Sequence, residues 1–157
     1  MLTKGMNMLS TFSVITATVF GTMVGVEFAV AVFVNPILLR LPAGAGLEAR
    51  ADGARVLGKV MPVWYIGSLV LIVALAAATW GGAAGWAAVA AAVLLGLSVV
   101  MSLAWLVPIN SRAAAWTADN HPADWREQQQ RWDRLHYARV AMIVAAFVLT
   151  LVSAVAG

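Results

Sequence analysis

Four long apolar stretches, separated by short or charged segments, dominate the pattern of hydrophobic and polar positions along this chain. They cover residues 12–39, 61–80, 85–107 and 137–156. A bilayer core about 30 Å thick needs about 20 apolar residues per helix, and none of the stretches shows the alternation of a barrel strand. The pattern predicts an all-α fold, an integral membrane four-helix bundle forming one transmembrane domain over residues 1–157.

The segment before the fourth stretch has a helical period of its own. Five polar or aromatic residues recur at spacings of four, three, four and three, which places them on one face of a helix: Trp125, Gln129, Trp132, His136 and Arg139. Pro122 suits the start of that helix. We expect an amphipathic cytoplasmic extension that runs unbroken into the fourth span.

Glycine, proline and aromatic residues predict how the spans are joined. Residues 40–60 are rich in glycine, alanine and charge, which indicates a solvated connector with a short helix near residues 47–57. The segment 81–85 leaves room only for an antiparallel hairpin. Gly21 and Gly25 form a GxxxG motif, which we expect to pack within the chain. Aromatic residues at the span ends predict interfacial belts: Trp64, Tyr65, Trp80, Trp86 and Trp105.

Composition and charge limit the class of protein. The chain is 62% hydrophobic and 11% charged, which excludes a soluble domain, and the absence of cysteine excludes disulfides and thiolate sites. Nine of the ten Lys and Arg residues lie in residues 40–60 and 108–139, against Lys4 alone. The positive-inside rule then predicts an inner (plasma) membrane protein with the loops 40–60 and 108–136 cytoplasmic and both termini outside. This topology accounts for the net charge, so we expect no nucleic-acid partner.

Glu27 is the single charged residue deep inside an apolar stretch. An ionised acid at bilayer depth costs roughly 2.5–3.5 kcal/mol, so Glu27 must be protonated, paired or exposed to a wet cavity. We expect it to act as a general base or to relay protons. The structural alternative is a carboxyl group that joins helices.

Other polar residues mark the cytoplasmic ends of three spans, where they are expected to meet. Asn35 ends the first span, Asn110 ends the third, and His136 and Arg139 open the fourth. His136 is a candidate acid–base catalyst or ligand, while Asn110 and Arg139 are suited to stabilise an oxyanion. His136 and Glu27 are the only metal candidates. The pattern assigns no cofactor, and it disfavours a bis-histidine haem because the other histidine lies in a loop.

Three segments carry a resemblance to a known family. The first span reads GTMVGVEFAVAVFVNP, the third ends LVPIN, and the fourth is entered through WREQQQRWDRLHYARV. Together they resemble the small four-span membrane proteins related to anthrone oxygenases. Gly25, Phe28 and Pro36 match the glycine, aromatic residue and proline of such relatives, whereas Glu27 stands where many have an apolar or aromatic residue. The most specific part is an ordered set: Pro108, Asn110, Trp125, Trp132, His136 and Arg139.

This resemblance implies oxidation of an aromatic polyketide such as an anthrone with oxygen. The leading hypothesis is a membrane-embedded oxidoreductase that acts on a lipophilic, aromatic small molecule. Two rivals remain open: a proton-coupled transport or ligand-binding protein that uses Glu27, and a non-catalytic accessory subunit. The expected partners are the lipid bilayer, the lipophilic ligand and, as an open alternative, a second copy of the chain. The expected catalytic residues are Glu27, His136, Asn110 and Arg139, and the expected substrate contacts are Asn35, Trp125, Trp132 and Phe28.

Overall fold

Four long helices make up the computed structural model, which describes residues 8–157. Each is long and apolar enough to cross a membrane, and the described residues contain no strand. The prediction of an all-α four-helix membrane bundle is therefore confirmed, while Lys4 lies outside the described residues. The helices are α1 (Met8–Leu38), α2 (Ala43–Ala78), α3 (Ala83–Ala113) and α4 (Trp125–Ala156).

Short connections place the helices in an up-down order. The turn between α2 and α3 contains Gly81 at φ +90°, a conformation that glycine adopts without a steric penalty. This is the predicted hairpin. We call its end of the bundle the hairpin end, and the opposite end, with residues 39–42 and 114–124, the connector end.

Helix α2 begins much earlier than the sequence pattern suggested. It is continuous from Ala43, with Pro62 inside it, so the short helix predicted near residues 47–57 is part of α2 and the connector is limited to residues 39–42. Alanine, leucine, arginine and glutamate are strong helix formers. This part also buries Leu47, Arg50 and Ala51 against the bundle, which offsets the cost of its glycines.

Helix α4 runs unbroken from the polar extension into the apolar span, as predicted, although it begins at Trp125 instead of Pro122. Helix α3 continues past residue 107 to Ala113. The extensions enclose a small second core at the connector end, where Trp125 packs against Leu47, Ala113 and Trp116.

The main core lies between the helices along most of their length, with Phe20, Ile72, Leu95 and Ile143 fully buried. Gly21 allows α1 to approach α4 closely, because a Cβ atom there would lie 2.8 Å from the Phe147 ring. The predicted use of the GxxxG motif within the chain is confirmed for this glycine. Around Gly25 there is open space.

Helices α1 and α3 each contain a π-helical segment that ends two residues before a proline. Val30–Val34 precedes Pro36, and Ser102–Leu106 precedes Pro108. A proline ring clashes with the carbonyl four residues earlier and offers no N–H, and a wider turn accommodates both defects. The two distorted segments lie near Glu27 and at Ser102, where the polar residues of the bundle gather.

Candidate functional site

Glu27 is paired inside the bundle. Its carboxylate is almost fully buried, and the Arg139 Nη2 atom donates a hydrogen bond to its Oε2 atom at 2.6 Å. The Arg139 Nη1 atom donates to the Ser102 hydroxyl oxygen at 3.2 Å. An ion pair at this depth needs such additional bonds, because desolvation of both charges is costly. Arg139 thus connects α1, α3 and α4 through one guanidinium group.

His136 belongs to the same cluster and is fully buried. Its Nδ1 atom lies 2.9 Å from Arg139 Nη2 and 3.4 Å from Glu27 Oε2. A guanidinium group only donates, so Nδ1 accepts and the proton of the neutral imidazole lies on Nε2. We call Glu27, Ser102, His136 and Arg139 the Glu27 cluster.

Two aromatic side chains enclose this cluster. The Trp132 ring stacks on His136, with centroids 4.6 Å apart, and the Arg139 guanidinium carbon lies 5.4 Å from the centroid of Tyr65. Tyr65 is buried in the core, so its predicted place in an interfacial belt is wrong. Trp64 also turns inward, and its Nε1 atom donates to the Val19 carbonyl at 3.0 Å.

A cavity of about 630 Å³ lies beside the Glu27 cluster and is lined by all four helices. Gly53, Ala54 and Gly58 of α2 leave this space unfilled because they have small or no side chains. The structure brings six of the predicted site residues to its wall: Glu27, Asn35, Asn110, Trp132, His136 and Arg139. Their chemical roles stay predictions.

Phe28 and Trp125, the other two predicted substrate contacts, do not line this cavity. Phe28 is 43% exposed and packs edge to face on Phe33, because the residue next to Glu27 on a helix points about 100° away from it. Trp125 belongs to the second core, with the Arg126 guanidinium 4.6 Å from its ring centroid. A substrate in the cavity would touch neither side chain.

Arg50 belongs to the basic segment 40–60, for which the sequence predicts a cytoplasmic loop, yet it is buried at the connector end of the cavity. Its Nη1 atom donates to Gln129 Oε1 at 2.8 Å and to Asp133 Oδ1 at 3.1 Å, and its Nη2 atom reaches the Asn35 carbonyl at 3.4 Å. A continuous helix through residues 43–78 would have placed Arg50 on the same face as Tyr65. That spacing was the available signal.

Several buried polar atoms along the cavity wall have no hydrogen-bond partner: Asn35 Nδ2, Tyr65 Oη, Trp132 Nε1, His136 Nε2 and Arg139 Nε. Each unmade bond of this kind costs about 1–3 kcal/mol. Atoms of this kind gathered around one cavity are suited to bind water or a polar group of a ligand. A small shift of these side chains would let a ligand or water satisfy them.

A metal site is poorly supported by this geometry. The described residues contain no group of three or more His, Asp or Glu side chains that could hold an ion. Arg139 contacts both Glu27 and His136, the two candidates from the sequence. A cation held by both would face the positive guanidinium group.

The comparison with protein families settles the relationship of the chain. A family model described as anthrone oxygenase matches residues 58–149, more than half of the sequence. The chain belongs to the anthrone oxygenase family. The resemblance seen in the sequence is thereby confirmed. No curated protein and no solved structure matches the chain.

Only part of the site of this anthrone oxygenase family member lies within the matched range. It contains Tyr65, Ser102, His136 and Arg139, whereas Glu27 lies on α1, before the first matched residue. The cavity is therefore assembled from the matched part of the chain and completed by α1 and by residues 49–57 of α2. Glu27 is the contribution of α1 to the cluster.

Proposed function

We propose that the protein oxidises a lipophilic aromatic small molecule, such as an anthrone, with molecular oxygen. The observation that carries this proposal is the placement of Glu27, His136 and Arg139 on the wall of a cavity within the bundle. Its volume, about 630 Å³, lies in the range of small-molecule sites, and most of its lining residues are apolar. Membership of the anthrone oxygenase family supports the substrate class and the reaction type.

The chemistry starts with a proton on the methylene carbon of the anthrone. In our proposal, Glu27 accepts this proton as general base, held in place by its bond from Arg139. The negative charge spreads to the ketone oxygen, where N–H donors of the site stabilise it. The resulting anion reduces molecular oxygen. A carbon–oxygen bond forms, the oxygen–oxygen bond breaks, one oxygen atom becomes the second quinone carbonyl, and the other leaves as water with the two hydrogens of the methylene group.

His136 and Trp132 have a positioning role in this proposal. Arg139 fixes the Nδ1 side of the imidazole, which leaves Nε2–H as a donor for the substrate oxygen. The stacked Trp132 ring holds the imidazole plane in place and offers a flat apolar wall to an aromatic ligand. Asn110 instead donates to the Ala54 carbonyl at 3.4 Å, so it supports the contact between α2 and α3.

The test follows anthrone oxidation by purified protein in detergent under air, through anthraquinone absorbance and oxygen uptake. Loss of a general base typically costs a factor of about 100 to 10,000, which we expect in Glu27→Gln. Loss of a hydrogen-bond donor to a developing oxyanion costs about 100 to 1,000, which we expect in His136→Phe. Matched controls are Glu48→Gln and His121→Phe, which change exposed residues outside this cavity. Both controls should keep the parent rate.

Glu27→Gln needs a folding control because it leaves Arg139 buried without its carboxylate. Removal of one partner of a buried pair costs about 3–5 kcal/mol, whereas removal of both charges costs less. The double variant Glu27→Gln with Arg139→Gln should therefore melt closer to the parent and remain inactive. Full activity in any folded variant without the Glu27 carboxylate would overturn the assignment of Glu27 as base.

Transport, the first rival derived from the sequence, requires Glu27 to exchange its proton as a substrate moves. Arg139 instead holds the carboxylate in a hydrogen bond of 2.6 Å within a cluster of three further side chains. No feature of the described residues favours transport over chemistry at a fixed site. Proteoliposome flux that disappears in Glu27→Gln, without any oxidation by the parent, would favour transport.

A further inference from the structure

The cavity has an opening in its side, between α2 and α3. On α2 and α3, four apolar side chains line the cavity and are at the same time exposed on the outer surface of the bundle. Ile66 is 52% exposed on α2, and Leu103 is 64% exposed on α3. We call these four residues the side window: Pro62, Ile66, Leu103 and Val107.

Direct contacts between α2 and α3 enclose the side window at both ends. Toward the hairpin end, Leu75 and Ala76 pack on Ala88. Toward the connector end, Asn110 donates to the Ala54 carbonyl and lies against Gly58. From Gly58 to Ile66 the helix rises by about 12 Å, which exceeds the thickness of an aromatic ring system.

Two local features of the helices lie at the opening. The π-helical segment Ser102–Leu106, which precedes Pro108, lies on the α3 side, and it widens that helix beside the cavity. On the α2 side, Gly58 presents no side chain to fill the gap. The π-helical segment and the missing side chain at Gly58 thus both coincide with the opening at this level.

The side window lies at bilayer depth. Trp80 and Trp86 are exposed and in mutual contact at the hairpin end, where they mark one membrane interface. At 1.5 Å per residue, Ile66 lies about 21 Å along α2 from Trp80, and Leu103 lies about 26 Å along α3 from Trp86. Both distances fall short of the about 30 Å of the hydrocarbon core. Lys59, about 32 Å from Trp80 on the same rise, lies at the far boundary.

We infer that lipophilic molecules pass between the bilayer and the cavity through the side window. Toward the connector end, the cavity is lined by the exposed Arg55, Lys59 and Ser111, a polar route that an apolar molecule would have to enter from water. The side window instead offers apolar side chains on both edges and joins the hydrocarbon directly. This inference rests on the proposed function only for the identity of the natural ligand.

The test uses the absence of native cysteine. Met61→Cys places one thiol on the buried cavity wall, and Ala91→Cys places one in the core outside the cavity as a background control. In proteoliposomes, the bilayer-soluble N-phenylmaleimide should label Met61→Cys about tenfold faster than a charged, membrane-impermeant maleimide, since access through a gate sets the rate. If Met61→Cys does not fold, Val99→Cys is a second reporter on the same wall.

Adding a bulky side chain at the side window should then close it. In the Met61→Cys background, Ile66→Trp and Leu103→Trp are expected to slow N-phenylmaleimide labelling about tenfold, because they block the gate. Val63→Trp and Val100→Trp are the matched controls, since both residues are exposed on the same helices and do not line the cavity.

Equal labelling by both reagents, or unchanged labelling in the two plugged variants, would overturn the inference in favour of entry from water at the connector end. The labelling requires no turnover. Failure of the proposed oxidation would therefore leave this result intact, and the two proposals can fail separately.

Discussion

Tyr137 repairs a backbone defect that a proline creates on the neighbouring helix. In α1 the Asn35 N–H bonds to the Val30 carbonyl, and Pro36 has no N–H to give. The Ala31 carbonyl therefore loses its usual helical donors. The Tyr137 hydroxyl, from α4, donates to it at 2.7 Å. This bond joins α1 to α4 beside His136 and sets the spacing on which the Glu27 cluster depends.

The two tyrosines of the chain provide a matched pair for testing this contact. Tyr137→Phe should lower stability by about 1–3 kcal/mol because the Ala31 carbonyl is left unpaired away from water. Tyr65→Phe removes a hydroxyl that interacts with Glu27 but makes no close hydrogen bond, so it should cost less stability than Tyr137→Phe. Thermal melting in detergent measures both. Equal melting of the two variants would show that the Tyr137 bond contributes nothing.

The sequence predicts that Glu27 needs a partner or a polar surrounding, whereas it does not identify the partner. An isolated acidic residue in an apolar stretch is conspicuous because an ionised side chain at bilayer depth is energetically costly. Arg139 is 112 positions away, and its place in the bundle depends on how α1 and α4 pack, which no local pattern specifies. Tyr65 was misjudged for a related reason. Its neighbours suggested a span end, but the helix continues past it toward the connector end.

At the scale of helices, Arg50 connects the extensions of α2 and α4 beyond the apolar spans. It contacts Asp133 through both terminal nitrogens, at 3.1 and 3.3 Å, and also bonds to Gln129. Two nitrogens on two carboxylate oxygens fix distance and angle together. The pair therefore holds two long helices in register at the connector end of the cavity.

Arg50→Ala should destabilise the protein by about 3 kcal/mol, since it leaves the largely buried Asp133 carboxylate without its partner. Arg55→Ala provides the control. Arg55 pairs with Asp52 at 2.9 Å on an exposed surface, where such pairs contribute about 0–1 kcal/mol. Melting temperatures of both variants in the same detergent decide the point. A similar loss in both would contradict a special role for Arg50.

The existence of four apolar helices followed from the length and composition of the apolar stretches, but the ends of the helices did not. The start of α2 at Ala43 was missed because glycine and charge suggested a connector, and tertiary packing of Leu47 overrode that local preference. A cavity between the spans is expected from the sequence, but its volume and its lining residues are not. It results from missing side chains and from the separation of two helices, and neither has a local signature.

At the scale of the whole molecule, the connections of residues 39–42 and 114–124 share one end and the hairpin occupies the other. Lys and Arg residues concentrate toward the connector end, which by the positive-inside rule predicts that this end is cytoplasmic. We expect an impermeant maleimide on intact cells to label Gly82→Cys and to spare Ala115→Cys until the cells are lysed. Both positions are exposed. The reverse labelling would invert the predicted orientation.

The π-helical segments have a consequence for comparing this chain with its relatives. Each holds one residue more than the α-helical turn it replaces, and so it changes the phase of everything after it by about 100°. Asn35 follows Glu27 by eight residues, and Asn110 follows Ser102 by eight. In a regular α-helix, residues eight apart differ by about 80° in direction around the helix axis. The one surplus residue of the π-helical segment reduces this difference to about 20° in both pairs. All four residues line the cavity for that reason. A relative without the surplus residue would require an alignment gap just before the proline, and an ungapped alignment would equate side chains that point in different directions.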